Sequence, residues 1–278
     1  WWNKNNGKEF ILPYKNSQNF LRTLKRSNIK NIKDGNIYCY QGVRTISLIE
    51  DKMELNEENG FFIGLYIAEG NSHIKSGKVC IANNDNKILE KIRKWFDKRN
   101  IINKTYIKNN SKSVSTTIQG YSTILSKFLN KFVGKNSRYK FIPAEFQLAP
   151  DNFIKGFIDG YYSGDGTISK NSIDCSSASK DVIEGVSMLL TRFGIYSKMS
   201  VSILKRNNFN TENIAPINRL SIRSLFAKKF ANTFKLTIDY KNERLIKILE
   251  SKTLLKYENT YKVINDTILD EIISIEKI

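Results

Sequence analysis

Phe62-Ile-Gly-Leu-Tyr-Ile-Ala-Glu-Gly70 and Ile158-Asp-Gly-Tyr-Tyr-Ser-Gly-Asp-Gly166 decide how this chain is read. Each puts Gly in third place and closes on an acid followed by Gly. Self-similarity at a fixed separation marks an internal duplication. The acids Glu69 and Asp165 lie 96 residues apart, so the unit is a small α/β half-domain, well above the roughly 20–45 residues of a solenoid repeat.

Downstream of the two copies the register is kept. After Glu69 come strand-like runs near Ser72–Lys75 and Lys78–Asn83, and after Asp165 come Thr167–Lys170 and Ser172–Ser179. Asp85 and Asp181, both 16 residues beyond their motif acid, are suited to capping a helix. Helical patterns follow over Asn86–Arg99, with Ile88, Leu89, Ile92, Trp95 and Phe96 on one stripe, and over Val182–Phe193, with Ile183, Val186, Leu189 and Leu190. Two further strands come near Lys104–Asn109 with Ser113–Gln119, and near Ser197–Lys205 with Arg219–Ser224. Helices near Tyr121–Val133 and Leu225–Phe234 close the units. Both halves therefore read αββαββα, in an α+β chain. The expected divisions are an extension over residues 1–58, halves over 59–143 and 144–241, and a second extension over 242–278. In the last, Val263-Ile264, Ile268-Leu269 and Ile272-Ile273-Ser274-Ile275 suggest short strands.

The 278 residues, 40% of them hydrophobic, suffice for one sizeable core or two smaller ones. Lys and Arg number 45 against 27 Asp and Glu, a net charge of +18. Such an excess attracts a polyanion at long range, and nucleic acid is the leading partner. Residues 242–278 hold six basic and seven acidic residues, so the excess lies in 1–241. Cys39, Cys80 and Cys175 form no close pair, and with the single His73 they make no usual zinc pattern. A reducing intracellular compartment is expected, cytoplasmic or wherever the target DNA resides. No apolar run approaches the roughly 20 residues needed to cross a bilayer, and the start, Trp-Trp-Asn-Lys-Asn-Asn, is no signal peptide. A start without Met points to a fragment, a processed product or an excised domain.

In each motif small residues recur one helical turn apart, Gly64 with Ala68 and Gly160 with Gly164. They make a smooth face that lets two helices approach closely and brings Glu69 and Asp165 side by side. Adjacent carboxylates repel unless a cation sits between them, and Mg²⁺ takes one or two carboxylates plus water and phosphate oxygens. That donor set suits phosphodiester hydrolysis. One Gly-x-x-x-Ala-Glu-Gly is an ordinary helix with a glycine cap; two in register are not.

These paired segments resemble the motifs of single-chain LAGLIDADG homing endonucleases, named for Leu-Ala-Gly-Leu-Ile-Asp-Ala-Asp-Gly, over roughly residues 59–241. The resemblance implies a pseudo-twofold αββαββα pair whose two antiparallel β-saddles lie in the DNA major groove. It also implies a monomer with no required protein partner, cutting both strands of a long site and leaving short 3′ overhangs. Mg²⁺, or another divalent cation such as Mn²⁺, would be held by Glu69 and Asp165. The first acid departs from the pattern in being Glu, and Ser163 and Gly164 depart from it before the second. The family also implies one lysine per half near the acids, for which Lys140 and Lys241 are the candidates by position. DNA contacts are expected from alternate saddle residues: Lys75, Lys78, Lys104, Lys108 and Gln119 in the first half, Lys198, Lys205, Arg206, Arg219 and Arg223 in the second. Arg and Lys read guanine edges, while Asn and Gln suit adenine. His73 has no counterpart in the second half and reads as a strand residue facing DNA or solvent.

The tail, Tyr261–Ile278, resembles the penultimate strands of an intein splicing domain. A splicing intein needs an N-terminal Cys or Ser, a Thr-x-x-His block and a terminal His-Asn, and none stands here. Two rival readings are a catalytically silent DNA binder or RNA maturase on the same scaffold, which metal-dependent cutting of duplex DNA would exclude, and a splicing-domain remnant.

Overall fold

The computed structural model describes residues 9–11, 29–33, 36–41, 45–50, 52–110, 113–203, 216–251, 262–264 and 267–269. Helix α1, Glu57–Glu69, starts where the Asn56 side chain accepts the Asn59 N–H, with Glu57 and Glu58 in its first turn. From Asn59 to Ile67 every residue is buried, as expected of a helix apolar on all sides. Strands β6 (Gly70–His73) and β7 (Lys78–Ala82) follow, then helix α2 (Asn86–Asp97), strands β8 (Asn103–Asn110) and β9 (Ser113–Tyr121), and helix α3 (Thr123–Phe132). The second half repeats this with α5 (Asp151–Asp165), β10 (Gly166–Ile168), β11 (Ser172–Ser177), α6 (Lys180–Thr191), β12 (Lys198–Ile203), β13 (Pro216–Arg223) and α7 (Ser224–Thr233). A four-residue helix α4 (Asn136–Tyr139) and a 3₁₀ turn (Ala144–Leu148) join the halves.

Both sheets are four-stranded, antiparallel and identical in order, β6-β7-β9-β8 and β10-β11-β13-β12. The αββαββα reading therefore holds in both copies. Each sheet turns one face to the core: Val79, Ile81 and Ile118 in the first half, Ile168, Ile173, Leu220 and Ile222 in the second. The covering helices add their expected stripes, with Phe62 stacked on Trp95 at 3.6 Å between centroids.

Three local expectations shift. The second covering helix is capped by Ser179, whose hydroxyl accepts the Val182 N–H, while Asp181 sits in the first turn. Serine caps as well as aspartate. Lys75 lies outside the strands, in a 3₁₀ turn (Ile74–Ser76) that Gly77 ends at φ 61°. Helix α8 (Asp239–Glu250) crosses the division drawn at residue 241, and its Leu245 and Ile248 are buried in the common core.

Outside the duplication, β1 (Glu9–Ile11) pairs with β5 (Lys52–Glu54), and β2 (Ile29–Lys33), β3 (Asn36–Gln41) and β4 (Thr45–Glu50) form a three-stranded sheet. Strands β14 (Lys262–Ile264) and β15 (Thr267–Leu269) pair as a hairpin where the first two apolar pairs of the tail had suggested strands. The third run, Ile272–Ile275, lies outside the described residues.

Candidate active site

The motif helices α1 and α5 cross with backbones in contact. A methyl group built on Gly64 would overlap the carbonyl of Phe157, and one on Gly160 would overlap the carbonyl of Phe61. Gly60 against Phe153 and Gly156 against Glu57 continue the same contact one turn earlier. Sequence reading had found Gly64, Ala68, Gly160 and Gly164 but missed these two, although the four-residue spacing extends back to both. At the far end the seam opens slightly: a methyl on Gly164 would lie 2.6 Å from Ala68 Cβ and 3.0 Å from Glu69 Cγ. The crossing therefore brings the Glu69 side chain against the last turn of α5.

Glu69 and Asp165 are the final residues of their helices, followed by the caps Gly70 and Gly166. Helix C-termini carry partial negative charge, so two carboxylates there are doubly disfavoured unless something answers them. Two lysines do. Lys140 and Lys241 are each only 4% exposed. Lys140 Nζ donates to the carbonyls of Tyr66 (2.8 Å), Ile67 (2.8 Å) and Gly70 (2.6 Å). Lys241 Nζ donates to those of Tyr162 (2.8 Å), Ser163 (2.8 Å) and Gly164 (3.3 Å). An ammonium has three donors, so both are fully engaged in capping the motif helices, and they act on the acids by charge through space.

Burial pushes the Asp165 carboxyl up to about 7, helped by the charge of Glu69 and opposed by Lys140 and Lys241. Glu69 is likewise raised by burial and held down by Lys241, then Lys140. Burial lowers both lysines to about 8, against the pull of Asp165 and Glu69. Each acid thus feels the lysines of both halves, and the four groups form one electrostatic unit.

Among the described residues no group of three or more His, Cys, Asp or Glu stands close enough to hold a metal ion, and neither acid takes part in a salt bridge. Two unpaired carboxylates on one side of a helix crossing fit a hard divalent cation that draws its remaining oxygens from water and phosphate.

Next to the acids the sheets turn their second face outward. Register places Lys78, Gln119, Lys104 and Lys108 on that face of the first sheet, with Cys80 opposite Gln119 and Gln119 opposite Lys104. His73, exposed, pairs with Lys78 on the same face. In the second sheet Lys198, Arg219 and Arg223 share the open face. A hollow there is lined by Asp165, Thr167, Asp174, Ser176, Arg219 and Arg223. Asp174, which sequence reading missed, accepts the Ser172 hydroxyl; its alternation with Ser172 and Ser176 was the available signal. Lys75 is exposed on its turn, and Lys205 and Arg206 lie outside the described residues. No helix among the described residues is long and apolar enough to cross a membrane.

Known proteins resemble this chain over part of their length. The chain is 34% identical over 220 residues to the DNA-directed RNA polymerase subunit Rpo1C of Methanocaldococcus jannaschii, covering 78% of this chain and 23% of that protein. It is 28% identical over 216 residues to the replication factor C small subunit of the same organism, covering 76% of this chain and 11% of that protein. The chain thus spans less than a quarter of the length of these curated relatives. Among solved structures, the complex of I-DmoI with DNA and Mn aligns with a TM-score of 0.47 at 16% identity, over 65% of this chain and 97% of that one. The family described as LAGLIDADG-like domain matches twice, over residues 56–134 and 152–235. Those spans run from α1 through α3 and from α5 through α7, each opening on a motif helix that ends in an acid, and the chain belongs to the LAGLIDADG-like domain family.

Proposed function

We propose that this chain is a site-specific DNA endonuclease that cuts both strands of a long duplex target by metal-dependent hydrolysis. The observation that carries the reading is the meeting of Glu69 and Asp165 at the crossing of α1 and α5, each helix end capped by a buried lysine. A bound divalent cation, Mg²⁺ or Mn²⁺, would supply phosphate polarisation and an acidified water, with Glu69 and Asp165 as its protein ligands. The chain's own work is to hold the two carboxylates at fixed separation and, through Lys140 and Lys241, to offset part of the cost of ionising them where they are buried. The outward faces of the two sheets hold the duplex. Lys78, Lys104, Lys108, Lys198, Arg219 and Arg223 are the phosphate and guanine contacts, and Gln119 the adenine contact; Lys75, Lys205 and Arg206 are further candidates for phosphate contacts.

The relatives support a mobile origin. A minor part of a protein named as an RNA polymerase subunit and a minor part of one named as a replication factor subunit both resemble this chain, a pattern that suits an inserted element of intein type. The extensions read over residues 1–58 and 242–278 then narrow to accessory or remnant segments over 1–51 and 252–278, since Met53, Leu55, Leu245 and Ile248 belong to the core of the nuclease. A silent DNA binder or RNA maturase has no need of paired acids.

The test is to incubate the chain with a random duplex library and Mg²⁺ and to sequence the ends produced. One shared site with both strands cut, abolished by EDTA, is the expected result; binding without cutting contradicts the proposal.

A further inference from the structure

Asp159 is a buried carboxylate, 7% exposed, one residue before the seam glycine Gly160. The same register of α1 carries Ile63, so the seam does not need a charge there. Its Oδ1 accepts the Thr237 N–H (2.6 Å) and the Ser163 hydroxyl (2.9 Å), and its Oδ2 accepts the Thr237 hydroxyl (2.6 Å) and Lys91 Nζ (3.5 Å). Lys91, from α2 of the first half, also donates to Thr237 Oγ1 at 2.6 Å. Thr237 lies in the connection between α7 and α8, and Lys241 is the third residue of α8. The start of α8 is therefore fixed to α5 at two points, Asp159 and the carbonyls of residues 162–164.

We infer that Asp159 is a positioning residue for Lys241: by holding Thr237 it sets where α8 begins and delivers the ammonium to the end of α5 beside Asp165. The helix crossing itself does not call for the carboxylate, because Ile63 fills the same register of α1 in the other half; the donors that Asp159 gathers come chiefly from the start of α8. The first half reaches the same end differently. There Ser179 Oγ, from the start of α6 of the second half, donates to the Lys140 carbonyl at 2.6 Å. Each lysine segment is thus braced by a covering helix of the opposite half, and the second brace runs through Asp159.

The inference rests on the reading of the acids as a cutting site, so its test has an arm that needs no cutting. Asp159→Ile, carrying the first half's residue, and Thr237→Val, which keeps shape and removes the hydroxyl, are compared with the parent by hydrogen exchange of the amides of residues 242–245, the first in α8 with an intrahelical acceptor. Faster exchange there in the Thr237→Val protein, which keeps the backbone bond, supports the inference; parent-like exchange in both variants overturns it. Cutting of a duplex selected from the random library by the parent is then measured on the parent and Lys241→Met backgrounds. Asp159→Ile should lower cutting about 10- to 100-fold, the range typical of a supporting residue behind a site, and should add no further loss to Lys241→Met. Asp159→Asn, which keeps an acceptor for the Thr237 amide, should recover most of the activity. Equal losses on both backgrounds overturn the positioning role. A parent that cuts nothing overturns the nuclease reading instead and leaves the exchange result to decide this one. If Asp159→Ile does not fold, Thr237→Val carries both arms.

Discussion

The two halves build their seam alike and their lysines differently. Gly60 and Gly64 in α1 meet the backbone of α5 just as Gly156 and Gly160 in α5 meet that of α1. Lys140, however, follows a four-residue helix in the connection between halves, whereas Lys241 stands in the first turn of the twelve-residue α8. Both ammonium groups still end on three carbonyls at the end of a motif helix. What the duplication has kept is the electrostatic arrangement around the acids, and the scaffold that delivers it has been free to diverge.

The sharpest way to break the equivalence is at the seam. Gly160→Leu would drive a side chain into the Phe61 carbonyl and the Leu65 amide, which cannot move as side chains can. A loss of about 1–3 kcal/mol or more is expected from such overpacking. Cutting should fall further than stability, because parting the helices parts the acids. Melting and cutting followed on one preparation check this; an unaffected Leu variant removes the close crossing from the account.

Next in size is the pH response. The folded-state carboxyl of Asp165, at about 7, lies above its ordinary 3.8, so without metal its contribution favours folding at low pH and is lost as pH rises through 7. Asp165→Asn should therefore melt above the parent at pH 8 in EDTA, and the gap should close toward pH 4. Added Mg²⁺ or Mn²⁺ should raise the parent's melting temperature at pH 8 and leave the Asn variant nearly unchanged. Since the cation needs the ionised acid, cutting should rise through about pH 7. A parent and variant with parallel melting curves across this range would remove the coupled carboxylates.

Smaller still are the saddles. Lys104→Ala and Arg219→Ala, one from each open face, should each weaken duplex binding and reduce the slope of log affinity against log salt by about 1 if they hold phosphates. An effect from one sheet alone would mean that a single saddle binds DNA. Gly164→Ala should be mildest in stability, since only the side chains of Ala68 and Glu69 stand in its way. Its effect should appear in cutting, through the displaced Glu69.

The parts legible in the sequence were those with a period or a repeat. Glu69, Asp165 and the seam residues Gly64, Ala68, Gly160 and Gly164 show themselves because the same spacing occurs twice, and Lys104 and Gln119 fall on one face because strand residues alternate. The cap of α6 was misplaced at Asp181 because Ser179 caps equally well and Asp181 is favourable in a first turn. Lys75 left its strand because Gly77 closes a turn there. The Asp159–Thr237 contact spans 78 residues and has no local signature at all. Asp159 reads as one more polar residue in a motif until the fold brings the start of α8 against it.

The central claim is that Glu69 and Asp165 form one site and not one per half. The direct measurement is strand-resolved cutting of the selected duplex by Glu69→Gln, Asp165→Asn and the double variant. If the acids share one site, each single change abolishes cutting of both strands while leaving most of the binding intact, and the double variant is no worse than either. If each single variant instead nicks one strand at the parent rate, the halves act separately, and the shared site at the helix crossing is wrong.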